Sequence, residues 1–153
     1  MPRQAVAAYF IALVVVEHEG RFLLIHEQTH GQGWYLPAGG VEPGETLIEG
    51  AVRETQEEAG VLVRPTALIA LDQTTWGSGA AVTTRIRFAM LAEPVGSVAP
   101  KSFADEHSLE ARWFTRAEIR ALPLRGDDVI TLTDLVHAQA PLLPIDRYAA
   151  LRG

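Results

Sequence analysis

The stretch GGVEPGETLIEGAVRETQEEAG, residues 39–60, decides the fold prediction for this chain. Its first six residues include three glycines and a proline, which indicate an irregular loop. From residue 46 to residue 59, apolar side chains recur at the spacing of a helix with one buried face, and Gly60 suits the position just past a helix end. The sequence therefore predicts a glycine-rich loop that leads directly into an amphipathic helix.

Three glutamates share one face of this predicted helix. Glu57 and Glu58 follow Glu54 by three and four residues, a spacing at which like charges repel each other. A hard divalent cation such as Mg²⁺ prefers carboxylate oxygens, and binding one would turn the repulsion into coordination. From the carboxylates alone, a solvated surface with Arg53 paired to Glu49 or Glu57 is the alternative. The glycine-rich loop, which is costly to order, favours a site.

Composition and charge narrow the classes of function. The chain has 153 residues, 48% hydrophobic and 21% charged, which predicts one folded domain over residues 1–153. Its formal net charge of −6 argues against broad binding to a nucleic-acid polymer, which requires clustered cations. A small anionic substrate remains compatible, because a bound metal ion would reverse the charge locally.

The cysteine count and the N-terminal apolar run bear on location. There are no cysteines, which excludes disulfides, thiolate nucleophiles and cysteine-based zinc sites. The apolar run over residues 5–16 has no cleavage site after it and is too short to cross a membrane. We therefore expect a buried strand in a cytoplasmic protein without membrane contact.

The rest of the chain alternates between strand and helix patterns. Strands are predicted over residues 5–16, 22–27, 34–36, 65–73, 82–93 and 109–114. A short helix is predicted to begin after Thr115, and a longer one spans residues 127–138. Helices interspersed with hairpins predict an α/β (α+β) fold in which helices cover a mixed sheet.

The loop and helix together resemble the Nudix box, G-x5-E-x7-R-E-U-x-E-E-x-G-U, in which U is a bulky aliphatic residue. The matching residues are Gly39, Glu45, Arg53, Glu54, Glu57, Glu58, Gly60 and Val61. Thr55 is the one departure, and it lies on the inward face, where it supplies no ligand. A pattern of nine positions within 23 residues is far more specific than a short glycine motif.

The resemblance implies a fold, an activity and a cofactor. Nudix hydrolases form an α/β/α sandwich around a mixed β-sheet and cleave a nucleoside diphosphate linked to another group. By analogy, Mg²⁺ (or Mn²⁺) would be held by Glu54, Glu57 and Glu58 together with the backbone carbonyl of Ala38. The metal would neutralise the pyrophosphate oxygens and orient a water for attack on phosphorus.

The same resemblance suggests roles for other residues. Glu54 is the first candidate for the general base that takes the proton of the water. Family members also use a glutamate from a distant loop, and Glu106 is the candidate here, with a solvated loop acid as its alternative. Gly39, Glu45 and Arg53 would support the site by bracing the loop against the helix.

The sequence does not assign the substrate-binding residues. Alternatives for phosphate contacts and for base stacking are Arg21, Arg85, Arg87, Trp34, Tyr35 and Trp76. A longer resemblance, over residues 34–39, 42–46, 108–113 and 122–128, is to family members that act on oxidised purine nucleoside diphosphates. We therefore expect a nucleoside di- or triphosphate as substrate. A non-catalytic nucleotide sensor, a hydrolase of another substrate such as a nucleotide sugar, and a homodimer remain open.

Overall fold

The computed structural model describes residues 7–149, except for the side chains of Ala80 and Ala149. The first two residues of the N-terminal strand prediction lie outside this range. The strands are β1 (Ala8–His18), β2 (Arg21–His26), β3 (Trp34–Tyr35), β4 (Ala38–Gly40), β5 (Val63–Trp76), β6 (Thr83–Pro94), β7 (Glu110–Phe114) and β8 (Leu143–Pro144). The helices are α1 (Leu47–Ala59), α2 (Arg116–Ile119), α3 (Asp128–His137) and α4 (Ile145–Ala149).

The strands form one mixed sheet with β1 at its centre. β1 runs parallel to β6 and antiparallel to both β2 and β4. β6 also pairs with β5 in a long antiparallel ladder, while β7 pairs with β2. Five consecutive residues of β1, Ala12 to Val16, are buried, as expected for a strand covered on both faces. The predicted mixed sheet is confirmed.

Helices cover both faces of the sheet, so the predicted sandwich is confirmed. On one face, Ala51 and Ala59 belong to the buried surface of α1, which packs against β1, β2 and β5. On the other face, Ile119 of α2 with Val129 and Leu132 of α3 close a second core. None of the helices within residues 7–149 has the length and apolarity needed to cross a membrane.

Helix α1 begins and ends as its sequence predicts. Thr46 caps it, because its side chain accepts the Glu49 N–H at 3.2 Å while its own N–H donates to the Glu49 carboxylate at 2.7 Å. Gly60 ends it in the left-handed region, with φ of +72°. Thr55 is fully buried, and its hydroxyl donates to the Ala51 carbonyl at 2.8 Å. The threonine therefore satisfies its own polar group inside an apolar interface.

The structure departs from the predicted elements at one strand end and at short elements that the local sequence pattern does not indicate. β5 extends to Trp76, beyond the predicted end at residue 73, because it stays paired with β6 up to Thr83. Residues 38–40 form β4, whereas the sequence predicts an irregular loop there, because they pair with β1. β8 and α4 are not predicted, and β8 is held by pairing with β5. Partners distant in sequence leave no local pattern.

Candidate functional site

The glycine-rich loop and α1 meet at Gly39. A Cβ atom built on Gly39 would lie 2.1 Å from the carboxyl carbon of Glu54, far inside contact distance. By contrast, a Cβ on the next residue, Gly40, would meet no atom within 4 Å. The absence of a side chain at Gly39 therefore lets the backbone of β4 pass directly over the Glu54 carboxylate.

Arg53 ties the loop to the helix. Its guanidinium donates to both oxygens of Glu45, at 2.7 and 3.0 Å, and to the Gly40 carbonyl at 2.8 Å. It also reaches Glu54 at 2.8 Å and Glu57 at 3.1 Å. Hydrogen bonding to Arg53 lowers the pKa of Glu45 to about 2, and the Glu45 bond in turn raises the pKa of Arg53. These bonds join the loop to the helix, and the supporting role of Glu45 and Arg53 in the site stays a prediction.

Two of the three helix carboxyls resist ionisation in the absence of a cation. Burial raises the pKa of Glu58 to about 8, with the Glu54 and Glu27 charges adding to the effect and the Ala38 N–H, at 2.8 Å, opposing it. Burial also raises the pKa of Glu54, against the lowering effect of Arg53. A cation placed beside these groups would stabilise their ionised forms.

The chemistry of the donor set fits a hard divalent ion. Glu54, Glu57 and Glu58 offer carboxylate oxygens from one partly buried helix face, the ligand type that Mg²⁺ prefers. Among residues 7–149, no three acidic or histidine side chains lie close enough together to hold a metal ion. Arg53 instead donates hydrogen bonds to Glu54 and Glu57. The Ala38 N–H is bonded to Glu58. The metal ligands, including the Ala38 carbonyl, stay predictions.

A second loop is fastened to the end of α1. The Lys101 ammonium, 5% exposed, donates to the Glu57 carbonyl at 3.0 Å and to the Asp105 carboxylate at 2.7 Å. The Ser108 hydroxyl donates to the Glu58 carbonyl at 2.6 Å. A lysine at a helix C-terminus also interacts favourably with the helix dipole. These bonds fix the loop of residues 101–108 beside the carboxylates.

Glu106, the loop candidate for the general base, lies on this segment. Its side chain is 87% exposed and stands 3.6 Å from His107. His107 is close enough to Glu54 for its charge to lower the pKa of that carboxyl, although the larger effect of burial raises it. The structure thus places the Glu106 loop near Glu54, and the catalytic role of Glu106 stays a prediction.

A basic cleft of about 260 Å³ opens beside Gly39. Its lining residues, which come from distant parts of the chain, are Ile11, Leu13, His30, Tyr35, Ala38, Gly39, Arg85, Arg87 and Arg125. Arg87 also borders an adjoining, largely apolar pocket of about 250 Å³, together with Asp72 and Asp128. An apolar floor with a few placed polar groups is typical of a small-molecule site.

A hydrogen-bonded network crosses the wall of the cleft. The Tyr35 hydroxyl donates to Asp128 at 2.6 Å, and Arg87 donates to the same carboxylate oxygen at 2.8 Å. Arg87 also donates to Asp72 at 2.8 Å, and Arg125 lies 4.7 Å from the Tyr35 ring centre. Burial, with help from Asp128, raises the pKa of Tyr35. Tyr35 and Arg87 are among the alternatives for substrate contact that the sequence offers. No local pattern indicates that Asp72, Asp128 or Arg125 borders the site.

Three residues considered for substrate contact do not line the cleft. Trp34 is buried in the core and stacks on His26, with 4.8 Å between the ring centres. Trp76 is exposed at the end of β5. Arg21 is half-exposed and lies 3.5 Å from Glu118. Of the six alternatives, the structure therefore brings only Tyr35, Arg85 and Arg87 to the cleft.

Comparison with known proteins agrees with this geometry. The NUDIX domain family matches residues 7–135. The chain is 38% identical over 133 residues to the mouse protein named 8-oxo-dGDP phosphatase NUDT18, covering 83% of this chain and 38% of that one. The human protein of the same name is 36% identical over 146 residues, covering 88% and 42%. The chain thus spans about two fifths of the length of these relatives.

This chain is similar to a solved structure over nearly the whole length of both proteins. The NUDIX hydrolase from Nitrosomonas europaea superposes with a TM-score of 0.73 at 29% identity. The match covers 91% of this chain and 94% of that one. The family resemblance of the glycine-rich loop and helix therefore extends to the entire sandwich.

Proposed function

The chain belongs to the NUDIX domain family, and from that premise we propose that it is a divalent-metal-dependent pyrophosphohydrolase of nucleotides. The substrate class we propose is oxidised purine nucleoside diphosphates or triphosphates, because two similar proteins carry the name 8-oxo-dGDP phosphatase. The observation that carries the proposal is the complete set of box carboxylates on α1, next to Gly39 at the edge of a basic cleft.

The metal would be held by the helix carboxylates. Glu54, Glu57 and Glu58, with the Ala38 carbonyl, are the proposed ligands of Mg²⁺ or Mn²⁺. When bound, such an ion neutralises pyrophosphate oxygens and lowers the pKa of a coordinated water. Arg53 and Glu45 hold the loop and the helix in register, so that the carboxylates keep their relative positions.

The proton of the attacking water requires an acceptor. Glu54 is the first candidate, because its carboxylate lies directly against Gly39, which lines the cleft. Glu106 is the second candidate, since its loop is fastened to the end of α1 by Lys101 and Ser108. Attack of the water oxygen forms a new P–O bond, breaks a bridging P–O bond of the pyrophosphate, and releases a nucleoside monophosphate together with phosphate or pyrophosphate.

The nucleoside is assigned to the cleft. Ile11 and Leu13 provide an apolar floor, and the Tyr35–Asp128–Arg87 network provides donors and acceptors at its wall. Polar groups that are already paired with one another hold fixed positions, and fixed positions favour discrimination between bases.

A nucleotide panel with Mg²⁺ tests this function. We expect the wild-type chain to hydrolyse 8-oxo-dGDP or 8-oxo-dGTP faster than dGDP, ADP-ribose or UDP-glucose. Glu57→Gln and Glu58→Gln should each lower kcat/KM by more than the roughly 10–100-fold seen for outer-shell partners of a metal. Glu93→Gln, on β6 and paired with Arg64, is the matched control and should leave activity unchanged.

The same panel has clear contrary outcomes. Equal activity in the wild type, Glu57→Gln and Glu58→Gln would remove the metal-site assignment. Tight nucleotide binding without product after long incubation would indicate a binding module in place of an enzyme. Hydrolysis of a nucleotide sugar alone would contradict the proposed substrate class and support the proposed pyrophosphate cleavage.

A further inference from the structure

The three arginines of the cleft differ in whether a carboxylate neutralises them. Arg87 is paired with Asp72 and Asp128, each at 2.8 Å. Arg125 is paired with Glu27. In the portion of the chain from residue 7 to residue 149, Arg85 has no ion pair, and its Nε is buried without a hydrogen-bond partner. Arg85 is thus the one cleft arginine without a carboxylate partner among the described residues.

Strand geometry directs Arg85 into the cleft. On β6, Arg85 and Arg87 are two residues apart, so their side chains leave the same face of the sheet. Arg87 lies opposite Ile11 of β1, which forms the cleft floor, and Arg85 lies opposite Tyr9 at the next level of the ladder. The unpaired guanidinium therefore belongs to the same surface as the nucleotide site we propose.

A buried donor without an acceptor is unfavourable, because it has lost its water without gaining a bond. A guanidinium carries five N–H donors in a fixed planar fork that matches the oxygens of a phosphate. An anionic oxygen that entered the cleft would provide the missing acceptor and neutralise the charge in one step. The Arg85 environment is therefore suited to bind an oxyanion.

The other two arginines are less available for this role. If Arg87 turned to a phosphate, Asp72 and Asp128 would lose the cation that neutralises them, and carboxylates without a cation in a partly buried site are costly. If Arg125 turned, Glu27 would lose its cation at 7% exposure, while its Oε2 already has no hydrogen-bond partner within the described part of the chain. Arg85 can bind an anion without breaking any of these pairs.

We propose that Arg85 binds a phosphate oxygen of the nucleotide, while Arg87 and Arg125 remain in the wall of the cleft. The inference rests on the proposed function, since it places a nucleotide in this cleft. Gly39 lines the same cleft and contacts the Glu54 carboxylate through its open α-carbon face. A phosphate bound by Arg85 would thus enter the cleft whose wall lies directly against Glu54.

Binding without metal separates this proposal from catalysis. Calorimetry in EDTA would compare 8-oxo-dGMP with 8-oxo-deoxyguanosine, which differ only by the phosphate. The wild type should bind the monophosphate about 10-fold more tightly, in line with a charge-assisted hydrogen bond. Arg85→Met should remove this preference without changing nucleoside affinity, and Arg85→Lys should restore part of it.

Arg64→Met is the control for loss of a strand arginine, because Arg64 lies on β5 with 72% of its side chain exposed and pairs with Glu93. It should keep the wild-type preference, and thermal unfolding should show that every variant is folded. A wild type without preference for the monophosphate would overturn the proposal. Equal loss of affinity for both ligands in Arg85→Met would also overturn it, because that result would indicate contact with the base or sugar. Unchanged affinity for both ligands would overturn it as well.

The result is independent of turnover. A chain that shows the Arg85-dependent preference but hydrolyses no nucleotide would refute the proposed function and leave the phosphate contact intact. If the wild-type chain hydrolyses nucleotides but Arg85→Met keeps the wild-type preference for the monophosphate, the phosphate contact is refuted and the proposed function stands.

Discussion

The two halves of the candidate site are built in opposite ways. The carboxylate half is local, since the side-chain contacts Arg53–Glu45 and Glu58–Ala38 join residues 8 and 20 positions apart. The cleft half is assembled from distant segments, since Tyr35–Asp128 and Arg125–Glu27 join residues 93 and 98 positions apart. A short motif can encode the first half completely, whereas the second exists only once the sheet has formed.

The halves also differ in their electrostatics. In the carboxylate half, burial and mutual repulsion raise the pKa of Glu54 and Glu58, so a cation bound beside them would stabilise their ionised forms. In the cleft half, Asp72, Asp128 and Glu27 already neutralise two arginines. The carboxylate half can therefore accept a cation, whereas ion pairs already hold Arg87 and Arg125 in the cleft half.

Gly39→Ala should give the largest effect in the local half. The new Cβ would overlap the Glu54 carboxyl, so either β4 or the carboxylate must move. We expect kcat/KM to fall by at least about 100-fold, as for a misplaced catalytic group, and the free energy of unfolding to fall by about 3 kcal/mol. Steady-state kinetics and chemical denaturation measure the two quantities.

Gly40→Ala is the matched control, because its Cβ would meet no atom within 4 Å. It should retain activity and stability. If Gly39→Ala and Gly40→Ala had the same kcat/KM and the same free energy of unfolding, the close contact between Gly39 and Glu54 would not matter for activity or stability.

The raised pKa of Glu58 predicts a pH-dependent stability. Because its pKa is about 8 in the folded chain and about 4.5 in the unfolded chain, the folded state binds more protons between these values. In EDTA, the free energy of unfolding should therefore fall as pH rises from about 5 to about 8, by on the order of 3 kcal/mol. Denaturant titrations at several pH values measure this.

Glu58→Gln sharpens the test, since glutamine cannot ionise. Its stability should vary less over the same pH range, and it should exceed the wild type most at pH 8. Mg²⁺ should stabilise the wild type more at pH 8 than at pH 5, because ligands must be deprotonated to bind. A wild-type profile as flat as that of the glutamine variant would contradict the burial of this carboxyl.

Tyr35→Phe should give the smallest effect, in the distant half. It removes one hydrogen bond to Asp128, whose carboxylate keeps its bond to Arg87. We expect a loss of about 1 kcal/mol in the free energy of unfolding. Tyr9→Phe is the control, because Tyr9 is 64% exposed, and it should be neutral. A neutral Tyr35→Phe would show that this contact does not tie β3 to α3.

Several elements of the fold were predictable because their signals are local. Thr46 and Gly60 mark the ends of α1, and Thr115 caps α2 through the same reciprocal contact with Glu118. The buried run of β1 and the hairpin to β2 follow from the apolar pattern and the turn at Gly20. Each signal depends on residues within one or two turns of the chain.

Other features were unpredictable because the deciding partner is far away. Trp34 is a core residue only because Phe114 and His26 pack around it, 4.8 Å away in each case. Lys101 is buried only because α1 presents the Glu57 carbonyl to it. Phe114 and the Glu57 carbonyl lie far along the chain from Trp34 and Lys101, so no local pattern predicts these two contacts.

The amino-acid order alone thus defines the carboxylate helix, its caps and its family, because spacing along one helix converts directly into a shared face. Tertiary structure alone decides the cleft. It sets which arginines are neutralised, which aromatic residues are buried, and that Arg85 lines the cleft with no carboxylate partner among residues 7–149. The physical reason is that charge pairing and burial depend on the residues that the sheet brings together, and those residues come from separate strands and helices.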